Sequence, residues 1–103
     1  MKLRPVLLLT GSVGSIPEVL VAYISSVLPA QPLPSDVILD PVQPAFRTTN
    51  LKVLSALRLH KLATIHISSL ARRLGVLELE QRSMVATKLK ELLGPLTAEE
   101  KQS

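Results

Sequence analysis

The chain has 103 residues, twelve Lys and Arg against eight Asp and Glu for a net charge of +4, and no cysteine. That length supports one domain with one core, and the missing cysteine excludes disulfides and thiolate metal sites and fits a reducing cytoplasm. A charge of +4 permits an acidic or nucleic-acid partner without requiring one. The N-terminus is basic and then apolar, but the run Val6 to Leu9 is cut by Thr10-Gly11, short of the roughly 7 to 15 apolar residues of a signal peptide. Pro17-Glu18, Pro29 and Asp36 interrupt every stretch that could approach the ~20 apolar residues of a membrane span. A cytoplasmic protein with no membrane association is expected.

In chain order, Val6 to Leu9 is an unbroken apolar run entered through Arg4-Pro5, which predicts a buried strand. Proline cannot donate to a sheet ladder, so it fits at the first residue of a strand or on an edge. Arg4 before it is pushed to an extended conformation. Thr10 to Pro17 reads as a loop. Glu18 to Ser26 is open to two readings. Pro17 could be the first residue of a helix, but Val19, Val21, Tyr23 and Ile24 favour a strand. Pro29, Pro32 and Pro34 mark an extended loop, Ser35 to Leu39 a short strand, and Asp40 to Asn50 an irregular stretch.

Leu51 to Leu59 is helix or strand by periodicity alone, while Ser55 to His60 alternates polar and apolar residues with the period of a half-buried strand and Leu62 to Ile67 continues in that style. Arg73 to Glu78 reads as a last short strand, with Gly75 at a bulge or bend. Glu80 to Leu93 carries Met84, Val85, Leu89, Leu92 and Leu93 at helical steps, and Gly94-Pro95 stops that helix. The chain divides into one domain over 1–95 and a polar tail over 96–103. Short strands with proline-rich turns and one C-terminal helix predict a mainly β fold, a small barrel.

The turn after Leu9, Thr10-Gly11-Ser12-Val13-Gly14-Ser15, resembles the opening of flavin-binding decarboxylase-type proteins. It lacks Gly-x-Gly-x-x-Gly and Gly-Lys-Ser/Thr, and an ordinary loop is the better reading. His60 and His66 make no metal site without further ligands. An ordinary surface or half-buried histidine is expected, though beside Lys61 the ring of His60 could move a proton or touch a phosphate. The basic residues Lys2, Arg4, Arg47, Lys52, Arg58, Lys61, Arg72, Arg73, Lys88 and Lys90 are scattered without interleaved aromatics. The sequence therefore offers no evident stacking platform for single-stranded nucleic acid.

Four pieces in order carry a resemblance: Lys2-Leu-Arg-Pro-Val-Leu-Leu-Leu, Val21-Ala-Tyr-Ile-Ser-Ser, Gln31-Pro-Leu-Pro-Ser-Asp-Val-Ile-Leu, and Leu51-Lys-Val-Leu-Ser-Ala-Leu-Arg-Leu-His-Lys-Leu-Ala-Thr-Ile. From about Lys2 to Leu93 the chain resembles the MazF/PemK group of toxins from type II toxin–antitoxin systems. The resemblance implies an SH3-like (MazF/CcdB-type) barrel with a C-terminal helix and a homodimer. It also implies a metal-independent endoribonuclease for single-stranded RNA with no cofactor. Its partner would be a cognate antitoxin, with operator DNA contacted through that complex. The family's Arg-Pro-Val arginine falls on Arg4, whose planar guanidinium suits a phosphate. Its catalytic Thr/Ser falls on Ser25. Lys2, Ser26, Gln31, His60 and Lys61 are the RNA-contacting positions that follow. Members normally carry a further strand and loop before the Arg-Pro motif, so a second expectation is a truncated, weakly active module that binds antitoxin without cutting RNA.

Overall fold

The computed structural model describes residues 3–102, so Lys2 lies outside the described residues. Four strands, β1 (Val6–Leu8), β2 (Glu18–Ser25), β3 (Asp36–Leu39) and β4 (Ser55–His66), precede one helix, α1 (Leu79–Leu93). The strands form one antiparallel sheet in the order β1-β2-β4-β3. It curls into a half-barrel with the helix at its C-terminal end, the expected mainly β fold. The two outer strands, β1 and β3, remain edges.

The strand formers of β2 prevail over the helix signal of Pro17. Ala22 faces the core and Ile24 packs against it, while Tyr23 between them is exposed, the alternation of a strand. Ala22, Val37, Leu39, Leu57 and Leu59 supply the sheet's share of the core. Phe46, Leu77 and Val85 cover them. Phe46 belongs to a 3-10 turn, Pro44–Thr49, inside the stretch expected to be irregular. Thr49 stabilises that turn: its Oγ1 donates to the Phe46 carbonyl at 2.7 Å and accepts from the Leu51 N–H at 3.1 Å.

Between β2 and β4 the register jumps. Ala22 pairs with Leu62, but the next residue, Tyr23, pairs with Arg58. Leu59, His60 and Lys61 are left out of that pairing as a bulge. Leu59 uses the freedom to enter the core, while His60 and Lys61 are exposed.

Two expectations are corrected. Arg73 to Glu78 is not a strand. It runs along the 3-10 turn, where the Val76 N–H donates to the Thr48 carbonyl at 2.8 Å. Thr48 Oγ1 donates to the Val76 carbonyl at 2.9 Å, and Asn50 Nδ2 donates to the Leu74 carbonyl at 2.6 Å. Its polar groups are met by a turn rather than by a ladder. The helical stripe is also only partly used. Val85 is buried and Leu89 packs against the core, but Met84, Leu92 and Leu93 are 44%, 40% and 55% exposed. The helix stops at Leu93, with Gly94 at a φ of 53°, as Gly94-Pro95 predicts.

Candidate active site

β1 and β2 bring Arg4 and Ser25 together. Val6 pairs with Tyr23, Leu7 with Ala22 and Leu8 with Val21. The same register holds past both ends: the Leu9 N–H donates to the Leu20 carbonyl at 2.8 Å, and the Ile24 N–H donates to the Pro5 carbonyl at 3.4 Å. Extrapolated one step past Pro5–Ile24, the same register would set Arg4 opposite Ser25. Because Pro5–Ile24 occupies a hydrogen-bonded position, Arg4–Ser25 falls on a non-hydrogen-bonded one, where the Cα atoms approach to about 4.5 Å and side chains lie closest. Proline at position 5 has no N–H, so the Pro5–Ile24 pair keeps one of its two ladder bonds, the one in which the Ile24 N–H donates to the Pro5 carbonyl.

The Arg4 side chain is exposed, and among the described residues no carboxylate pairs with it. Its charge is available to an anion. The Ser25 hydroxyl is engaged locally, donating to the Val27 carbonyl at 3.0 Å and accepting from the Val27 N–H at 3.1 Å. This small turn fixes Oγ at the end of β2. To donate to a phosphate oxygen, the hydroxyl must leave the Val27 carbonyl.

Arg4 and Ser25 line an open groove, with Ser26 beside them. One wall is the strand β1, and the opposite wall is the segment 69–77 with Arg82, Val85 and Leu89 of α1. Five basic residues line it, Arg4, Lys52, Arg72, Arg73 and Arg82, and no Asp or Glu does. The other seven basic and eight acidic side chains of the chain nearly balance, so the positive excess is concentrated here. Lys52, Arg72, Arg73 and Arg82 come from three separate places in the sequence. Only the Arg72-Arg73 doublet could have singled any of them out. Arg82 is held in part by its own backbone, Nε donating to the Leu77 carbonyl at 2.8 Å.

The remaining candidates lie elsewhere. Gln31 is exposed in the loop between β2 and β3 and does not line the groove. His60 and Lys61 sit in the β4 bulge, separated from β1 by two inter-strand spacings of about 4.8 Å each. His60 approaches Asp36, with Nδ1 3.9 Å from Oδ1, too far for a hydrogen bond. Asp36 is already engaged: Oδ1 accepts from Arg58 Nε at 2.7 Å and Oδ2 from the Leu33 N–H at 2.8 Å. A smaller cavity among Thr10, Val13, Glu18, Val19, Leu20 and Thr64 touches none of these groups. Among the described residues, no three His, Cys, Asp or Glu side chains gather as a metal site, and no helix is long and apolar enough to cross a membrane.

No curated protein matches the chain. Among solved structures it is similar to the Mycobacterium tuberculosis toxin MazF-mt6, with 27% identity over 85% of this chain and 83% of that one and a TM-score of 0.68. It is likewise similar to a structure described as an Mtb toxin, with 25% identity over 85% and 90% and a TM-score of 0.67. A family model described as the PemK-like, MazF-like toxin of type II toxin–antitoxin systems matches residues 1–93. With that match spanning nearly all of it, the chain belongs to the PemK-like, MazF-like toxins of type II toxin–antitoxin systems.

Proposed function

We propose that the chain is a cytoplasmic toxin that cuts single-stranded RNA without a metal ion, as a homodimer held in check by an antitoxin. The observation that carries the reading is the register that sets Arg4 opposite Ser25 at the rim of a basic groove. The reaction is attack of a ribose 2′-oxygen on the adjacent phosphorus. The new P–O2′ bond forms as the P–O5′ bond breaks, the 2′-hydroxyl proton leaves to a base, and the 5′-oxygen takes up a proton. Negative charge builds on the non-bridging oxygens, and a donor aimed there stabilises the transition state more than the ground state. Arg4 supplies a permanent charge and a planar fork for those oxygens. Ser25 Oγ supplies a second, neutral donor once it turns from the Val27 carbonyl. Ser26 extends the donor edge along the groove, and Lys2, Gln31, His60 and Lys61 remain RNA-contacting positions only as the family resemblance implies.

A second reading, a module that binds antitoxin and reaches operator DNA through it without cutting RNA, draws on the Ser25 hydroxyl being closed on its own turn. One experiment separates the two. The purified full chain is incubated with a long single-stranded RNA in the presence of chelator, beside the Arg4→Ala variant. The nuclease reading expects cleavage that falls by about 10²-fold or more in the variant, the usual consequence of deleting one charge-stabilising donor. No cleavage by the wild-type chain, or equal cleavage by both, would sink it and leave the binding module.

A further inference from the structure

One side chain beside Arg4 and Ser25 has no part in the cleavage chemistry. The chain holds one tyrosine and one phenylalanine and no tryptophan. Phe46 is buried in the core, whereas Tyr23 is 41% exposed. An aromatic ring on a strand of aliphatic residues would contribute most if it were packed, as Phe46 is. The position of Tyr23 explains its exposure differently. Ala22 and Ile24 turn toward the core, so Tyr23 and Ser25 share the opposite face, roughly 6.6 Å apart along the strand. That is about the reach from a phosphate to the base of the same nucleotide.

The ring's neighbours leave it accessible. Across β1 it is opposed by Val6 and across β4 by Arg58. Arg58 is drawn toward β3, where its Nε is held by Asp36 at 2.7 Å, and Asp36 is in turn fixed by the Leu33 N–H. The ring is therefore flanked by an aliphatic side chain on one strand and a tethered guanidinium on the other.

We propose that Tyr23 is the stacking surface for one base of the single-stranded RNA, seating the nucleotide whose phosphate lies at Arg4 and Ser25. This inference rests on the RNA reading and adds to it the group that orients the substrate. Stacking on a π-face accepts any base, so Tyr23 binds and aligns the strand and leaves sequence choice to other contacts. It also accounts for single-strand preference, because bases in a duplex are already stacked and paired.

The test uses the ring itself. With one tyrosine and no tryptophan, tyrosine emission from the intact chain reports Tyr23 alone. Titration with a short single-stranded oligoribonucleotide carrying 2′-O-methyl groups, which cannot be cut, is expected to quench that emission saturably. The same sequence as a duplex is expected to leave it unchanged. With cleavable RNA, Tyr23→Ala is expected to raise KM about tenfold with kcat little altered, in line with the usual worth of one stacked base. Tyr23→Phe restores KM, and Tyr23→Leu, which keeps apolar bulk but no ring, does not. Emission that stays constant while anisotropy shows the oligonucleotide bound would overturn the inference, as would Tyr23→Leu binding like wild type. Quenching without any cleavage would leave stacking intact and remove the nuclease. Cleavage without quenching would do the reverse.

Discussion

At the scale of single residues, the most consequential contact outside the site is Asp36 with Arg58. The Asp36 side chain is wholly excluded from solvent, and Arg58 keeps 16% exposure. A buried carboxylate is tolerated only when paired and hydrogen-bonded, and both Asp36 oxygens are satisfied, by Arg58 Nε and by the Leu33 N–H. Removing the cation strands the charge, which costs about 3–5 kcal/mol in a buried pair, nearer the lower figure here because Arg58 is partly wet. Arg58→Met should therefore lower stability by roughly 3 kcal/mol in urea unfolding, and adding Asp36→Leu to it should recover much of that loss. A single variant within about 0.5 kcal/mol of wild type, the ordinary range for a surface substitution, would show that the pair carries no such weight. Because Arg58 stands opposite Tyr23 in the sheet, the same pair also sets the surroundings of the proposed stacking surface.

At the scale of elements, local pattern and non-local pairing part company. Alternation in Ser55 to His60 and the strand formers of Glu18 to Ser25 made β4 and β2 legible, because a strand's two faces are written into adjacent residues. The bulge at Leu59–Lys61 was not legible, since it arises from how β4 meets β2 and not from β4 itself. Arg73 to Glu78 misled for the opposite reason. Its apolar residues do pack, Leu77 into the core, but its backbone partners lie in the turn around Thr48 and Asn50. Gly75 is the residue that permits this. A Cβ there would collide with the Thr48 carbonyl oxygen and press on the Thr49 backbone, and neither backbone group can yield as a flexible side chain would. Gly75→Ala should cost about 1–3 kcal/mol, the range for overpacking, read as a lower urea midpoint with an unchanged slope. Unaltered stability would mean that the segment can lift away from the turn without loss. In the second case the wall of the groove that it forms is less rigid than the contacts imply.

At the scale of the whole molecule, the proposed function would rest on charge that the linear sequence disperses. Arg4 and Ser25 could be singled out through the motifs that carry the family resemblance, and both line the same groove. The gathering of Lys52, Arg72, Arg73 and Arg82 was not legible, because their common groove exists only once β1, the segment 69–77 and α1 are assembled. A net charge of +4 spread evenly would do little for a polyanion. Five basic side chains in one groove without a carboxylate among its lining residues are a different object. Each phosphate they neutralise releases counterions, and for a single strand log K falls against log salt with a slope of about −0.7 per contact. The Nε of Arg82 is partly committed to the Leu77 carbonyl, so three to five contacts are expected, a slope between about −2 and −3.5. Replacing Arg72 and Arg73 together by glutamine should flatten that slope by about 1.4 while leaving the fluorescence of Tyr23 responsive at low salt, since the doublet sits on the wall opposite β1. Removing Lys88 and Lys90, which do not line the groove, should leave the slope where it was. A slope that follows net charge equally in both double variants would mean that the RNA senses the protein's overall charge. A slope lost only with Arg72 and Arg73 would place the phosphate path between β1 and the segment leading into α1, with Arg4 and Ser25 among its lining residues.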